Sequence, residues 1–335
     1  MSHAGPGRLL AALLARPVSF ALQGGGAHGA FTWGVLDRLL DEPRVTLAGA
    51  SGASAGAMNA AVLVSGWQNG GRQGARDALE RFWRSVSQAA SGGLPTSVLS
   101  MLTGTSPTGG EAGAMMLEAL PRLASPYQLN PANFNPLSGL LDRCVDFEAL
   151  RHPRAPCLLV SATNVHSGRA HLFDNAGVTA SALLASACLP TLFQAVEIEG
   201  EYYWDGGFSI NPPLLALARR HRRGDLILVQ LNPEWRATVP TAPSDIANRV
   251  RQLNFNAGLL RELEFLGSLP WFSRWRLPRM HHIHADGHLD ELGSHAPLNT
   301  DWRFLTRLRE AGHERAETWL RGDGRGLGQR GTLSP

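Results

Sequence analysis

The 335-residue chain contains no lysine, so all 31 of its basic residues are arginine. That absence excludes a lysine Schiff base, a P-loop lysine and a serine–lysine dyad together. Cysteine is scarce. Cys144, Cys157 and Cys188 leave an odd thiol and form no C-x-x-C pair, so neither a disulfide framework nor a zinc site is indicated. A reducing, cytoplasmic compartment is expected, with no metal and no cofactor. No run of 18 or more apolar residues occurs, which argues against a membrane-spanning helix. Near the N-terminus, Arg8 and the apolar residues 9–15 have the outline of a short signal segment. Arg16-Pro17 interrupts it, and a later cleavage would cut into the first strand. Net charge is only +3, and the arginines are scattered apart from Arg219-Arg220-His221-Arg222-Arg223, a run suited to a helix C-terminus. No nucleic-acid module, and hence no nucleic-acid partner, is indicated.

The chain is 44% apolar and long enough for one large α/β domain with an extension. Residues 18–23 read as a buried strand running into Gly24-Gly25-Gly26-Ala27-His28-Gly29, with a helix over 30–40. Three consecutive glycines at a strand–helix junction leave backbone N–H groups uncovered, a concave site for a phosphate or for an oxyanion. Gly24, Gly26 and Gly29 also satisfy the dinucleotide fingerprint G-x-G-x-x-G. A dinucleotide site wants an acidic residue at the end of the next strand. That strand, 45–50, instead leads to Gly52-Ala53-Ser54-Ala55-Gly56 and a second helix. The spacing G-x-S-x-G predicts a nucleophile elbow, a sharp turn that lifts a serine hydroxyl to a helix N-terminus. The same small residues would also serve a turn needed only for close strand–helix packing. If both motifs sit at the carboxyl ends of adjacent parallel strands, an anion-binding loop and an exposed serine lie side by side, the geometry of acyl transfer.

A helical stretch at 76–88 precedes residues 91–136, rich in Gly, Pro, Ser, Thr and Asn, which read either as a lid insertion over an apolar pocket, with an apolar helix at 112–120, or as a disordered excursion. Strands are expected at 157–163 and 170–173, a helix at 179–187, a hairpin at 196–199 and 201–204, and a last central strand at 225–231. The hairpin leads into Asp205-Gly206-Gly207, either a tight turn or a positioned carboxylate. Beyond it, 244–269 reads as a helix, 281–285 as a strand, 301–320 as a final helix, and 321–335 as a disordered Gly/Arg-rich tail. Trp271-Phe272-Ser273-Arg274-Trp275-Arg276 combines aromatics and cations, suited to a bilayer interface or to packing against the main domain.

Taken together these pieces resemble the patatin-like phospholipase family. Four motifs appear in order: the glycine-rich loop Gly24 to Gly29, the elbow Gly52 to Gly56, the A-S-x-x-x-P segment Ala185 to Pro190, and D-G-G at Asp205 to Gly207. The resemblance spans about residues 18–230. It implies a three-layer α/β/α sandwich around a mostly parallel sheet, with 231–320 as a helical C-terminal extension. It implies hydrolysis of lipid carboxylic esters, with Ser54 as nucleophile and Asp205 as base. Gly24, Gly25, Gly26, His28 and Gly29 would form the oxyanion hole, with the Gly25 and Gly26 amides foremost. Gly52, Gly56, Gly206 and Gly207 would support the elbow and the turn. Many members carry Arg or Lys where this chain has His28, so a cationic role there would depend on pH. A lipid ester substrate and peripheral membrane contact follow, while nothing in the residues fixes the oligomeric state. The rival readings are a catalytically silent lipid-binding scaffold and a dinucleotide-binding protein using the Gly24–Gly29 loop.

A histidine base is not expected. Only 53 residues precede Ser54, too few for the strands that precede the elbow in an α/β-hydrolase. His281, His282, His284, His288 and His295 follow the last central strand, where a histidine cluster reads as solvated surface.

Overall fold

The structure, a computed structural model, describes residues 15–91, 124–270, 277–285, 289 and 299–333. Most of the proposed lid, the Trp271 to Arg276 stretch, His288 and His295 lie outside the described residues.

The core of the sheet follows from strands that are apolar on both faces, the signature of a parallel sheet covered on each side. These are β1 (Arg16–Leu22), β2 (Val45–Ala53), β3 (Cys157–Asn164) and β7 (Asp225–Gln230). With β8 (Arg279–His284) they pair in parallel in the order β3-β2-β1-β7-β8. β4 (Ala170–Asp174), β5 (Val196–Ile198) and β6 (Glu201–Asp205) add antiparallel pairings around β3.

Strand alternation divides the core in two. Phe20 and Leu22 of β1 and Ile227 and Val229 of β7 enter a large apolar cluster on one face, whereas Ala21, Leu226 and Leu228 enter a smaller one on the other. The large cluster is closed by α1 (Gly29–Leu40), by α2 (Ala55–Ser91), which comprises two helices joined at a kink at Gly70 and Gly71, and by α9 (Trp302–Arg321). Short helices α3 (Pro126–Leu129), α4 (Ser138–Cys144), α5 (Phe147–Arg151) and α6 (Ala180–Ser186) lie along the chain between β2 and β5. The small cluster is closed by α7 (Leu214–Arg220) and α8 (Pro243–Ser268). This is the expected α/β/α sandwich.

The C-terminal region is helical in α8 and α9 and also completes the sandwich. α9 lies backbone to backbone on α1, where a Cβ on Gly34 would stand 1.9 Å from the Arg309 carbonyl oxygen and one on Gly312 would stand 2.0 Å from that of Phe31. The Asp37 carboxylate of α1 ties the same face together, accepting from Arg76 at 2.7 Å and Arg309 at 2.8 Å.

Two expectations about this region are corrected. Residues 321–333 are not a disordered tail: a 3-10 turn at Asp323–Gly326 leads to Thr332 and Leu333, whose amides donate to the Met280 carbonyl of β8 at 2.8 and 2.9 Å. Nor does His281 sit on solvated surface. It is fully buried, with Nε2 2.9 Å from Asp225 and Nδ1 3.1 Å from the Thr332 hydroxyl. Burial pushes the Asp225 carboxyl up, but hydrogen bonds from His281, Arg279 and Gly328 outweigh it and hold the group down to about 2. This clasp sits at the start of β7, beside Val18 at the start of β1, and joins β7, β8 and the tail.

The arrangement resembles a hydroxyl–histidine–carboxylate triad but lies at the opposite end of the strands from Ser54. His281→Ala is therefore expected to cost about 1–3 kcal/mol, the usual consequence of breaking a buried hydrogen-bonded pair. Ester turnover of the folded variant should stay within about tenfold of wild type. Urea unfolding and a turnover assay at one temperature check both halves.

Candidate active site

The elbow is built by close backbone approach. A Cβ on Gly52 would stand 2.3 Å from the Gly56 carbonyl carbon, and one on Gly56 would stand 2.1 Å from the Leu22 carbonyl oxygen. Only glycine at both positions lets β2 turn directly into α2. Between them Ser54 takes a left-handed conformation, φ 53°, a strained region for a residue with a Cβ. Two contacts hold it there. Its N–H donates to the Ser186 carbonyl at 3.1 Å and lies 3.0 Å from the Ser186 hydroxyl oxygen, while its carbonyl accepts the Met58 N–H at 3.1 Å. Ser186 is the serine of the A-S-x-x-x-P segment, whose contribution the sequence alone did not reveal.

Strand register brings Asp205 to the same place. On one side of β3, β4 covers residues 159–163. On the other side β2 ends with Ala53 opposite Ser161, and antiparallel β6 ends with Asp205 opposite Ala162. The two strands thus meet end to end on one edge of β3, and the residue closing each turn faces the other. Asp205 is fully buried. Its N–H donates to the Cys188 carbonyl at 2.8 Å, and its carbonyl accepts from the Thr163 hydroxyl at 2.8 Å. Carboxylate Oδ1 accepts the Gly207 N–H at 2.7 Å. Oδ2 is buried with no partner in full hydrogen-bond geometry among the described residues, and the Ser54 hydroxyl is the side chain close enough to act on the carboxyl as a donor. A loose contact of this kind is common in an unliganded site.

Burial pushes the Asp205 carboxyl up to about 7, against the smaller opposing effects of the Gly207 amide and Ser54. Gly206 and Gly207 form a 3-10 turn packed against Ser161 and Phe255. The Cys188 thiol nearby is pushed up to about 12 by burial and then by the Asp205 charge, so it remains a thiol.

The glycine loop closes the third side, and its residues separate into distinct functions. The Gly24 amide donates to Asn211 Oδ1 at 2.7 Å, and the Gly29 amide to the Gly26 carbonyl, so neither is free for a ligand. Gly25 and Gly26 line the cleft beside Ser54, and no partner for their amides is found among the described residues. His28 lines the same cleft, but it is not the titrating cation foreseen from the sequence. Burial and then the Arg251 charge push it down to about 4, so it is neutral at pH 7.

An amide network that no motif revealed fixes this loop. Gln23 Oε1 accepts the Leu231 and Asn232 amides at 2.8 Å each, and its Nε2 donates to Asn256 Oδ1 at 2.8 Å. Asn232 and Asn211 both donate to the Gly24 carbonyl, at 3.3 and 3.4 Å. A buried Gln at the end of an apolar strand was the one sequence signal for it. Every donor or acceptor so used is removed from water, which makes the loop rigid as well as satisfied.

A family model for patatin-like phospholipases matches residues 20–218, more than half of the chain. The chain belongs to the patatin-like phospholipase family. Among solved structures, that of VipD from Legionella pneumophila is similar over 89% of this chain and 67% of that one, at 14% identity and a TM-score of 0.36. No curated protein sequence matches.

In this patatin-like chain Ser54 stands where two clefts meet. One is apolar, with Met58, Phe82, Trp83, Val86, Leu189 and Phe193 among its walls. The other, the more polar of the two, runs from Ser54, Asp205 and the glycine loop to Asn248, Arg251 and Gln252 of α8. No described helix is long and apolar enough to cross a membrane.

Proposed function

We propose that this chain is a serine acyl hydrolase that cleaves lipid carboxylic esters with a Ser54–Asp205 dyad. The observation that carries the reading is the end-to-end meeting of β2 and β6, which sets a strained serine against a buried carboxylate at a helix N-terminus.

In the first step the Asp205 carboxylate takes the Ser54 proton while Oγ attacks the ester carbonyl. A carboxylate of ordinary basicity is a poor partner for a serine hydroxyl; burial raises that of Asp205 toward neutrality and improves the match. The negative charge moves to the carbonyl oxygen, which the Gly25 and Gly26 amides and the α2 N-terminus stabilise. The tetrahedral intermediate collapses, Asp205 returns the proton to the leaving alcohol, and the acyl group stays on Ser54. In the second step water attacks the acyl carbonyl as Asp205 takes its proton, and Asp205 returns that proton to Ser54 Oγ as the bond to the acyl group breaks and the carboxylic acid leaves. The apolar cleft beside Ser54 takes the acyl chain. The reaction takes place in a cytoplasmic enzyme that meets its lipid at the membrane surface.

Hydrolysis of soluble nitrophenyl esters of increasing chain length, with phospholipid and triacylglycerol emulsions alongside, tests the proposal. Rising kcat/KM with acyl length is expected, and absence of turnover on every ester would leave a silent scaffold. The pH profile tests the base. Because Asp205 acts only when ionised and its pKa is about 7, kcat/KM should rise through pH 7 and level off above it. A profile already flat between pH 5 and 8 would assign the base elsewhere.

A further inference from the structure

Buried or half-buried arginines in this fold are matched by oxygen atoms. Arg309 and Arg76 share Asp37, Arg279 pairs with Asp225, and Arg72 donates to four backbone carbonyls, those of Leu40, Glu42, Pro43 and Val45. Arg251 is different. It is half-buried on the wall of the polar cleft, and its one side-chain hydrogen bond among the described residues donates from Nη2 to Asn248 Oδ1 at 2.6 Å. No carboxylate among the described residues is paired with it. A guanidinium has five N–H donors, so one bond to Asn248 leaves most of its capacity unspent on a residue that lines the cleft. Withdrawing a cation from water without a counter-ion is costly, and burial here pushes the Arg251 pKa down with no acidic group opposing it. Among the described residues the other titratable groups on the cleft walls are Asp205, whose function lies with Ser54, and His28, which is neutral at pH 7. Among the described residues the cleft therefore offers a positive charge with no paired carboxylate, on the side of Ser54 away from the apolar cleft.

We propose that Arg251 and Asn248 form a subsite for a negatively charged phosphate oxygen on the alcohol portion of the ester substrate. This rests on the hydrolase reading above and adds substrate selection to it. With the acyl chain in the apolar cleft and the scissile carbonyl at Ser54, the leaving alcohol lies in the polar cleft. A phosphate on that alcohol meets the guanidinium in the planar two-donor geometry that arginine offers to such anions. Neutral acylglycerols leave Arg251 without a counter-ion and are the poorer substrates.

The test compares dibutyroyl glycerophosphate with dibutyroylglycerol, both as monomers, on wild type, Arg251→Gln and Arg251→Lys. Wild type is expected to favour the phosphate ester by about 10–100-fold in kcat/KM, the range for a charged hydrogen-bonded contact. Arg251→Gln should abolish that preference through KM, with the neutral ester changed by less than about threefold, and Arg251→Lys should restore part of it. A wild type without preference, or an Arg251→Gln that slows both esters alike, overturns the proposal. Calorimetric titration with hexyl phosphate and with inorganic phosphate separates a substrate subsite from a free-anion site. Tighter binding of hexyl phosphate, lost in Arg251→Gln, supports the subsite; equal binding of the two overturns it. If no ester is turned over yet hexyl phosphate binds through Arg251, the subsite stands and the hydrolase reading falls.

Discussion

Ser54→Ala is expected to lower ester hydrolysis by about 10⁴-fold or more, because the hydroxyl oxygen is the attacking atom and no neighbouring group replaces it. The thiol beside the site, Cys188, is buried, with its pKa pushed up to about 12 and its Sγ held 3.1 Å from the Gln194 carbonyl. The fold should survive the change. Ser54 is fixed by its main chain, through Ser186 and Met58, and those bonds do not involve its side chain. Alanine meets the same left-handed backbone cost as serine, so unfolding free energy should move by less than about 0.5 kcal/mol. A fluorophosphonate probe should label wild type and not the variant. Turnover within about tenfold of wild type would remove Ser54 from the chemistry.

The elbow, the loop and the D-G-G turn were legible because each is a local backbone device, written in glycines at fixed spacing. The strand–helix order around them was legible from apolar runs for the same reason. What was not legible is what the long-range fold brings to those devices. Asn211, Asn232 and Asn256 are ordinary polar residues in sequence, and only the meeting of β1, β7 and α8 makes them the clamp on Gly24. The position of His28 beside the site was readable from the loop. Its charge was not, since burial and an arginine from α8 set it. The glycine-rich tail read as disorder because composition does not record that Met280 of an edge strand offers its carbonyl to Thr332 and Leu333. Glycine inside a helix is ordinarily a weak point, but Gly34 and Gly312 together let α1 and α9 touch.

Asp205→Asn carries two opposite expectations, and their combination identifies the residue's function. Asparagine keeps the shape of the side chain, and its Oδ1 still accepts the Gly207 amide, but it takes no proton. Loss of a positioned base costs about 10²–10⁴-fold in kcat, and the rise of kcat/KM through pH 7 should vanish with it. Stability should move the other way. In the folded protein the Asp205 pKa is about 7 against an ordinary value of 3.8, so the folded state holds a proton that the unfolded chain has released. A raised carboxyl pKa makes its full contribution below about pH 4 and loses it as pH rises through 7, because ionising the group in its buried position is unfavourable. The shift from 3.8 to about 7 bounds that cost at about 4 kcal/mol, and relaxation of the surrounding protein reduces it. The substituted amide does not ionise, so the variant should be about 1–3 kcal/mol more stable than wild type at pH 8, with the gain shrinking toward pH 4. Urea unfolding at pH 4, 6 and 8 measures it. A purely structural aspartate at a turn predicts loss of stability at every pH and little change in kcat. A catalytic base held in a dry site predicts a slower and more stable protein, with the stability difference growing from about pH 4 to pH 7 and levelling off above it.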